Sequence, residues 1–573
     1  MNQYDYIIIG AGSAGCVLAN RLSADPNNKV LLVEAGGPDK NMFIHIPAGC
    51  PKLHKTEVDW GFETEPQEHV ANRQIYLPRG KTLGGCSSTN YMAYVRGNKE
   101  DYNDWEKLGN KGWSYEEVLP YFKKSEHNED ITNDYHQQGG ELNVGHSKLF
   151  STPYSKIFIE ACKEIGFEEN KDYNGAKQEG VGKFQNTIKE GKRNSAAVAF
   201  LNPIKNRKNL TILTHTLTKK VIVESGEATG VEVLTKKGKS VVYHATKEVI
   251  VSAGTFNSPQ ILMLSGIGDK DELAEHGIHC VHDLPGVGKN LQDHLMYALG
   301  GSTKKQDAQN HHLKIHKQVI DLANYLMFKK GALTQGPLEC VAFGSTTLSP
   351  DRVDYQFHYA SFNLGENNEA EIYDINTYPT KDGVTILPTL LRPKSRGYVK
   401  LKSKNPQDKV SIQPNFLSEK EDRQVLIEAG KKAMEVLNAS PFKAVLEKLY
   451  DGAKLESDEE LLSYIQENLE TVYHPVGTCK MGQDDMAVVD EKLKVHGIKN
   501  LRVIDASIMP TIVSGNTNAP TIMIGEKGAD MILMEAQGVM EKEDLLENLD
   551  TLQLSQKERV KIRKDGKIED ESI

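Results

Sequence analysis

Long apolar runs are missing from this chain of 573 residues. No stretch approaches the roughly 18 consecutive apolar residues that a transmembrane helix needs, so no helical membrane span is expected. Cysteine is scarce: the seven residues at 16, 50, 86, 162, 280, 340 and 479 form no CxxC pair, and their number is odd. That argues against a disulfide framework or a structural zinc site and fits reduced thiols in a cytoplasmic protein. No basic stripe alternates with aromatics, and the formal net charge is −10. A nucleic-acid partner is therefore not expected. Internal repeats and low-complexity linkers are also lacking. The chain opens on polar Met1-Asn2-Gln3-Tyr4 where a secretory leader would stand. The expected localisation is cytoplasmic, with association to a membrane surface left open. At this length more than one core is expected.

What is abundant is glycine in chosen places. Residues Asp5 to Gly15 read as a short apolar strand running into Gly-x-Gly-x-x-Gly, and Leu31-Leu32-Val33-Glu34 follows one βαβ unit later. Gly10 allows the tight turn, Gly12 lets backbone approach a pyrophosphate, and Gly15 lets helix and strand pack closely. The helix starting near Ala14 offers free N–H groups and a positive dipole end. Glu34 stands where a carboxylate accepts from ribose hydroxyls. The loop alone leaves NAD and FAD both open.

Further along, residues 209–252 carry period-2 apolar patterns that read as β structure, and residues 101–125 carry helical patches. At Gly254-Thr255-Phe256-Asn257-Ser258-Pro259-Gln260 a strand hands over to a helix, with Ser258 as N-cap and Pro259 at the first helical position. Residues 354–402 read as strands, 419–438 and 456–469 as helices, and 501–534 as strand, loop and helix. The stretch from about Val539 is charged and poor in aromatics, and reads as a mobile tail with one short helix at Leu545, Leu549 and Leu552.

Three more segments carry chemistry. Arg79 to Asn90 is rich in glycine and small hydroxyl residues, which let backbone lie against a flat ligand. His474 precedes Pro475, and Asn518 precedes Ala519-Pro520. A histidine accepts an alcohol proton at neutral pH. An asparagine donates to the same oxygen without competing for that proton. His312 and His316 have the i, i+4 spacing of a helical metal pair, but their polar surroundings read better as a solvated face, so no metal is expected. Cys86 and Cys479 read as small packing residues.

With these segments in order, the chain resembles a glucose–methanol–choline (GMC) oxidoreductase over essentially residues 3–535. The matching segments are the N-terminal glycine loop with Glu34, Gly84-Gly85-Cys86-Ser87-Ser88, the run from Gly254 to Gly268, and His474 with Asn518. The resemblance turns the unspecified dinucleotide into FAD. It implies an α/β fold in which a Rossmann-like FAD domain is assembled from 1–155, 195–305 and 470–538. A substrate domain with a mixed sheet and flanking helices is implied from 156–194 and 306–469. The implied FAD cradle is Gly10, Gly12, Ser13, Ala14, Gly15, Glu34, Ala35, Leu83, Gly84, Gly85, Ser87, Asn90, Val221, Ala253, Asp505 and Ala506. Family members that bind FAD covalently use a His near the place held here by Thr89, so non-covalent FAD is implied.

The reaction implied is oxidation of a primary alcohol to an aldehyde. His474 takes the hydroxyl proton, Asn518 holds the oxygen, and the electrons pass to a quinone-like acceptor. An oxygen-using oxidase of aromatic or furanic alcohols is the alternative, and a non-redox flavin lyase or decarboxylase ranks below both. Trp60, Glu339, His358 and Tyr473 resemble the substrate pocket of choline-oxidising members. Glu339 would face a trimethylammonium group, with Trp60 and Tyr473 giving aromatic faces. The chain departs from choline oxidases in carrying Pro337-Leu338 where they place Trp before that Glu. His294, in Asp293-His294, matches a segment running near the flavin and is not expected to be a second base. Oligomeric state is not legible.

Overall fold

The computed structural model describes residues 2–365 and 370–538. The expected tail helix at Leu545–Leu552 lies outside the described residues. Two sheets organise the rest.

The first sheet has seven strands. Four of its parallel strands lie in the order Leu210–Leu213, Val30–Val33, Gln3–Ile9, Ser240–Val251, and Leu501–Val503 pairs with the last of these. The long strand Ser240–Val251 serves two partners in succession. Its first half pairs antiparallel with Glu227–Thr235, itself paired with Thr216–Glu224, and its second half pairs parallel with Leu501–Val503. Strand Val30–Val33 and the Tyr6–Ile9 part of Gln3–Ile9 are apolar and buried because both of their faces are covered, as buried parallel strands require. Helices Ser13–Leu22 and Asn518–Ala536 pack against each other over this sheet. A Cβ on Gly525 would lie 3.0 Å from Ala14 Cα, so a side chain there would push the two helices apart.

The second sheet has eight strands and is built around the antiparallel run Leu299–Thr303, Gly383–Leu390, Tyr355–Ala360, Leu338–Gly344 and Gly180–Lys183. Helix Lys420–Asn438 covers it with a stripe that includes Val425, Leu426, Ala429, Ala433 and Val436. The short strands Leu295–Met296 and Glu470–Thr471 also pair into this sheet. Both fall near the edges of segments expected in the other domain, so the chain crosses between the two sheets at these points. His294 directly precedes one of these strands, and His474 follows the other by three residues.

One helix start differs from expectation. The helix begins at Gly254 and runs to Leu264, which places Pro259 inside it. Gly254 has φ 82° and gives its N–H to Asp505 Oδ2 at 2.9 Å, which moves the turn five residues upstream of Pro259. Pro259 has no N–H for the carbonyl of Thr255 four residues earlier. The Thr478 hydroxyl donates to that carbonyl at 2.6 Å instead. Ser258 is thereby freed from capping; its hydroxyl donates to Asp505 Oδ2 and accepts from Ala253 N. Among the described residues no helix is long and apolar enough to cross a membrane.

Candidate active site

A cavity of about 690 Å³ runs between the two sheets. At one end it meets the glycine loop. The backbone is bare there: a Cβ built on Gly12 meets only Ser252 O, at 3.9 Å, and one built on Gly254 meets nothing within 4 Å. Gly10 and Gly15 serve the packing behind it, since a Cβ on Gly15 would come within 1.9 Å of Gly10 O. The helices starting at Ser13 and Asn518 have no side-chain cap, and both open into the cavity. Two helix N-termini with free N–H groups make an anion site. Glu34 closes this end. Its carboxylate accepts from Ala11 N at 2.9 Å and Gly36 N at 2.7 Å, and burial pushes its pKa up to about 7. These residues fit a dinucleotide with its pyrophosphate at Gly12–Ala14 and a ribose at Glu34.

The expected cradle is partly in the cavity wall and partly behind it. Gly10, Gly12, Ser13, Ala14, Glu34, Ala35, Gly85, Asn90, Ala253, Asp505 and Ala506 line the cavity. Leu83, Gly84 and Ser87 do not. Gly84 N donates to Ala11 O, and the Ser87 hydroxyl joins Gly84 O to Ala196 N, so this turn braces the wall from outside. Val221 is buried away from the cavity with its N–H on Ser265 Oγ, and Thr216–Thr218 of the same strand take the expected place. Cys86 lines the cavity, whereas Cys479 is fully buried.

The other end is built on three histidines. Asp293 Oδ1 accepts from the backbone N–H of His294 at 2.9 Å and of His474 at 2.8 Å, so one carboxylate fixes both segments. The imidazoles meet through Nδ1 to Nδ1 at 3.0 Å, and His294 Nε2 lies 3.0 Å from Leu391 O. A carbonyl only accepts, so His294 carries its proton on Nε2 and presents Nδ1 as an acceptor. His474 must then donate from Nδ1. Its Nε2 is left as an acceptor on the cavity side, and the Asn516 amide Nδ2 donates to it at 3.2 Å. Burial lowers all three basicities, taking His294 to about 3 and His358 to about 4. His474 is held well below its ordinary value by burial, helped by His294, His358 and the Arg79 guanidinium. It is therefore neutral at physiological pH and ready to accept a proton. The preceding Tyr473 has φ 63°, a left-handed conformation stabilised where the Arg79 guanidinium donates to its carbonyl.

Asn518, expected beside His474, is elsewhere. It is the first residue of its helix, and its Oδ1 accepts from the Ser13 hydroxyl at 2.8 Å, tying the two helix starts together at the anion end. Asn516, two residues earlier and still in the loop, takes the place at His474. The only sequence signal for it is that both asparagines stand in one Ser-Gly-Asn-Thr-Asn segment.

Glu339 is also not where expected. It sits at a bulge, between Leu338 and Cys340, where the strand register shifts. A bulge re-aims its side chain. The carboxylate accepts from Thr152 N at 3.0 Å, from the Thr152 and Ser155 hydroxyls, and from Gln309 Nε2 at 2.8 Å, and it does not line the cavity. Trp60 and Tyr473 do line it, but the Lys81 ammonium already stands 4.5 Å from the Trp60 ring centre. His358 lines the cavity on a sheet face with Leu338, Ala360, Thr385 and Leu387 around it. His312 pairs with Asp321 at 2.6 Å, and non-helical Lys314 separates it from the helix of His316, so the two histidines share no helix face.

The cavity thus joins a glycine loop at one end to a neutral histidine and an asparagine at the other. The GMC oxidoreductase N-terminal model matches residues 4–296, and its C-terminal counterpart matches residues 393–525. The chain belongs to the GMC oxidoreductase family. An alcohol dehydrogenase [acceptor] of Pseudomonas putida is 44% identical to it over 539 residues, covering 93% of this chain and 96% of that one. An oxygen-dependent choline dehydrogenase of Rhizobium etli (strain CIAT 652) is 41% identical over 535 residues, covering 93% and 96%. A solved formate oxidase from Aspergillus oryzae RIB40, studied for modification of its FAD, shares 29% identity with a TM-score of 0.87 and covers 94% of this chain and 99% of that one. The cofactor of this enzyme is FAD, and it is an oxidoreductase of the alcohol-oxidising kind.

His294 does not line the cavity and meets His474 only through the Nδ1–Nδ1 hydrogen bond, so it holds that ring in place. Replacing it with Leu removes the acceptor for His474 Nδ1–H, and the wrong tautomer then competes. Flavin reduction in His294→Leu should slow about 10–100-fold, the usual effect of losing an orienting partner, with alcohol Kd unchanged. His294→Asn, which can accept and donate in one side chain, should recover part of that loss. Equal rates for both variants in anaerobic stopped flow would contradict the tautomer assignment.

Proposed function

We propose that the enzyme oxidises primary alcohols with apolar chains to aldehydes and passes the electrons to a quinone-like acceptor. One observation carries the reading: His474, neutral and with Nε2 unprotonated, borders the cavity, where that nitrogen accepts from the Asn516 amide that an alcohol oxygen would share. His474 Nε2 takes the hydroxyl proton, and the Asn516 amide donates to the same oxygen and fixes its position. FAD, when bound, supplies the hydride acceptor. Gly10–Ala14, Glu34 and the start of the helix at Asn518 would hold it, and Thr89 gives no covalent link.

The wall around His358 favours an aliphatic chain over choline. Leu338, Ala360 and Leu387 are apolar, and Glu339 is turned into its own hydrogen-bond set. The Trp60 face is already matched with Lys81. The one carboxylate beside Trp60 in the cavity wall, Asp59, is already held by the Tyr76 hydroxyl and the N–H groups of Lys55, Gly61 and Arg79, so a quaternary ammonium entering here would lose its hydration without a free counter-charge. The acceptor assignment draws on the name of the Pseudomonas relative.

Anaerobic mixing with a series of linear alkanols and with choline should bleach the flavin, with choline at least about tenfold less efficient per unit concentration for want of a counter-charge. Reoxidation should be faster with a soluble quinone than with air. Choline bleaching as efficiently as the alkanols would defeat the substrate assignment.

In His474→Ala, flavin reduction should fall by about 10²–10⁴, the usual contribution of a positioned base, with FAD still bound. An unchanged bleaching rate would remove His474 from the chemistry.

Acid precipitation should release all yellow colour into the supernatant. A pellet that stays yellow after washing would show a covalent link.

A further inference from the structure

Helix Ile315–Phe328 is inside out. It buries only Asp321 and Tyr325. Asp321 is paired with His312, and the Tyr325 hydroxyl donates to His45 O at 3.3 Å. The apolar side chains point to solvent: Ile315 is 83% exposed, Val319 65%, Met327 66% and Phe328 61%. A surface helix ordinarily does the reverse, with its apolar stripe on the core. A contiguous exposed apolar face of this kind marks an interaction surface.

Two further observations say what covers it. Residues 304–330 carry six lysines, at 304, 305, 314, 317, 329 and 330, against only Asp307 and Asp321, in a chain whose net charge is −10. Lys304 and Lys314 direct their ammonium groups to neutral partners, Ala444 O and Gln306 Oε1. Asp321 is turned inward, so among the described residues the exposed apolar face is bordered by lysines with no carboxylate partner. The same helix also forms the cavity mouth: Ile315, Val319 and Leu322 line the cavity together with Met42, Phe43 and Pro51. The exposed patch and the cavity wall are one continuous apolar surface.

We infer that helix Ile315–Phe328 docks this enzyme on an anionic lipid surface. With 14 residues the helix is about 21 Å long at 1.5 Å per residue, too short to span and suited to lie in the interface. The lysines meet the headgroups while Val319, Ile320, Met327 and Phe328 enter the acyl boundary. The cavity then opens toward the bilayer, where apolar alcohols and quinones partition. That last consequence rests on the substrate reading above, whereas docking itself does not.

Flotation of the FAD-loaded full-length protein with lipid vesicles tests the docking without any substrate. Wild type should float with phosphatidylglycerol–phosphatidylcholine vesicles, weakly with phosphatidylcholine alone, and less in high salt. Lys329→Ala and Lys330→Ala should each weaken binding about fivefold, the usual effect of one basic residue near an anionic surface. Met327→Glu with Phe328→Glu should stop flotation while flavin absorbance and turnover of a short alkanol with a soluble acceptor stay unchanged. Wild type that remains unbound to the anionic vesicles would overturn the inference. So would a double variant that floats like wild type. Light scattering that shows a dimer, converted to monomer by the double variant, with no vesicle binding would assign the face to a second copy of the chain instead.

Discussion

The Asp293 carboxylate joins two backbone segments 181 residues apart by accepting from His294 N and His474 N through one oxygen. Once those two N–H groups are fixed, the imidazoles meet at Nδ1, and the carbonyl of Leu391 dictates which nitrogen carries which proton. The protonation pattern of His474 thus follows from the hydrogen-bond polarity of a peptide carbonyl that it reaches through His294. Asp293 bears a cost for this position, since burial pushes its pKa up to about 7 and its second oxygen has no hydrogen-bond partner among the described residues. Such a group is retained where it fixes a geometry rather than where it adds stability.

The two sheets divide the work according to their backbones. Parallel strands end in a glycine turn with helix N-termini behind it, which suits the phosphate end of a dinucleotide. The antiparallel sheet offers a flat face of alternate residues, here Leu338, His358, Ala360, Thr385 and Leu387, which suits a substrate wall. The histidine pair stands at the seam because the chain crosses from one sheet to the other just beside Leu295–Met296 and Glu470–Thr471. Substrate chemistry and cofactor binding are therefore coupled through short strands, in which small displacements would be felt at both ends.

The glycine loop, its strand, its helix and Glu34 were all legible in the sequence, because a strand–turn–helix is local and Gly10 and Gly15 each answer to a backbone contact that no side chain permits. His474 was legible as a candidate through its segment beside Pro475, though its hydrogen-bond partners, Asp293, His294 and Asn516, were not. Asn516 was not. Two asparagines two residues apart look equivalent until the helix start is fixed, and only then does Asn518 turn to Ser13 and Asn516 to His474. The role of Glu339 was equally hidden, since one bulged residue reverses a side chain without any mark in composition.

Local backbone rules, then, let the chain's own letters determine the cofactor loop and the family pattern. Tertiary structure alone decided the partners: which asparagine faces His474, which nitrogen of His474 carries no proton, where Glu339 points, and that helix Ile315–Phe328 wears its apolar residues outside. Each of those depends on groups far apart in sequence meeting at hydrogen-bond or van der Waals distance. A linear pattern specifies faces and turns but not which face finds which neighbour.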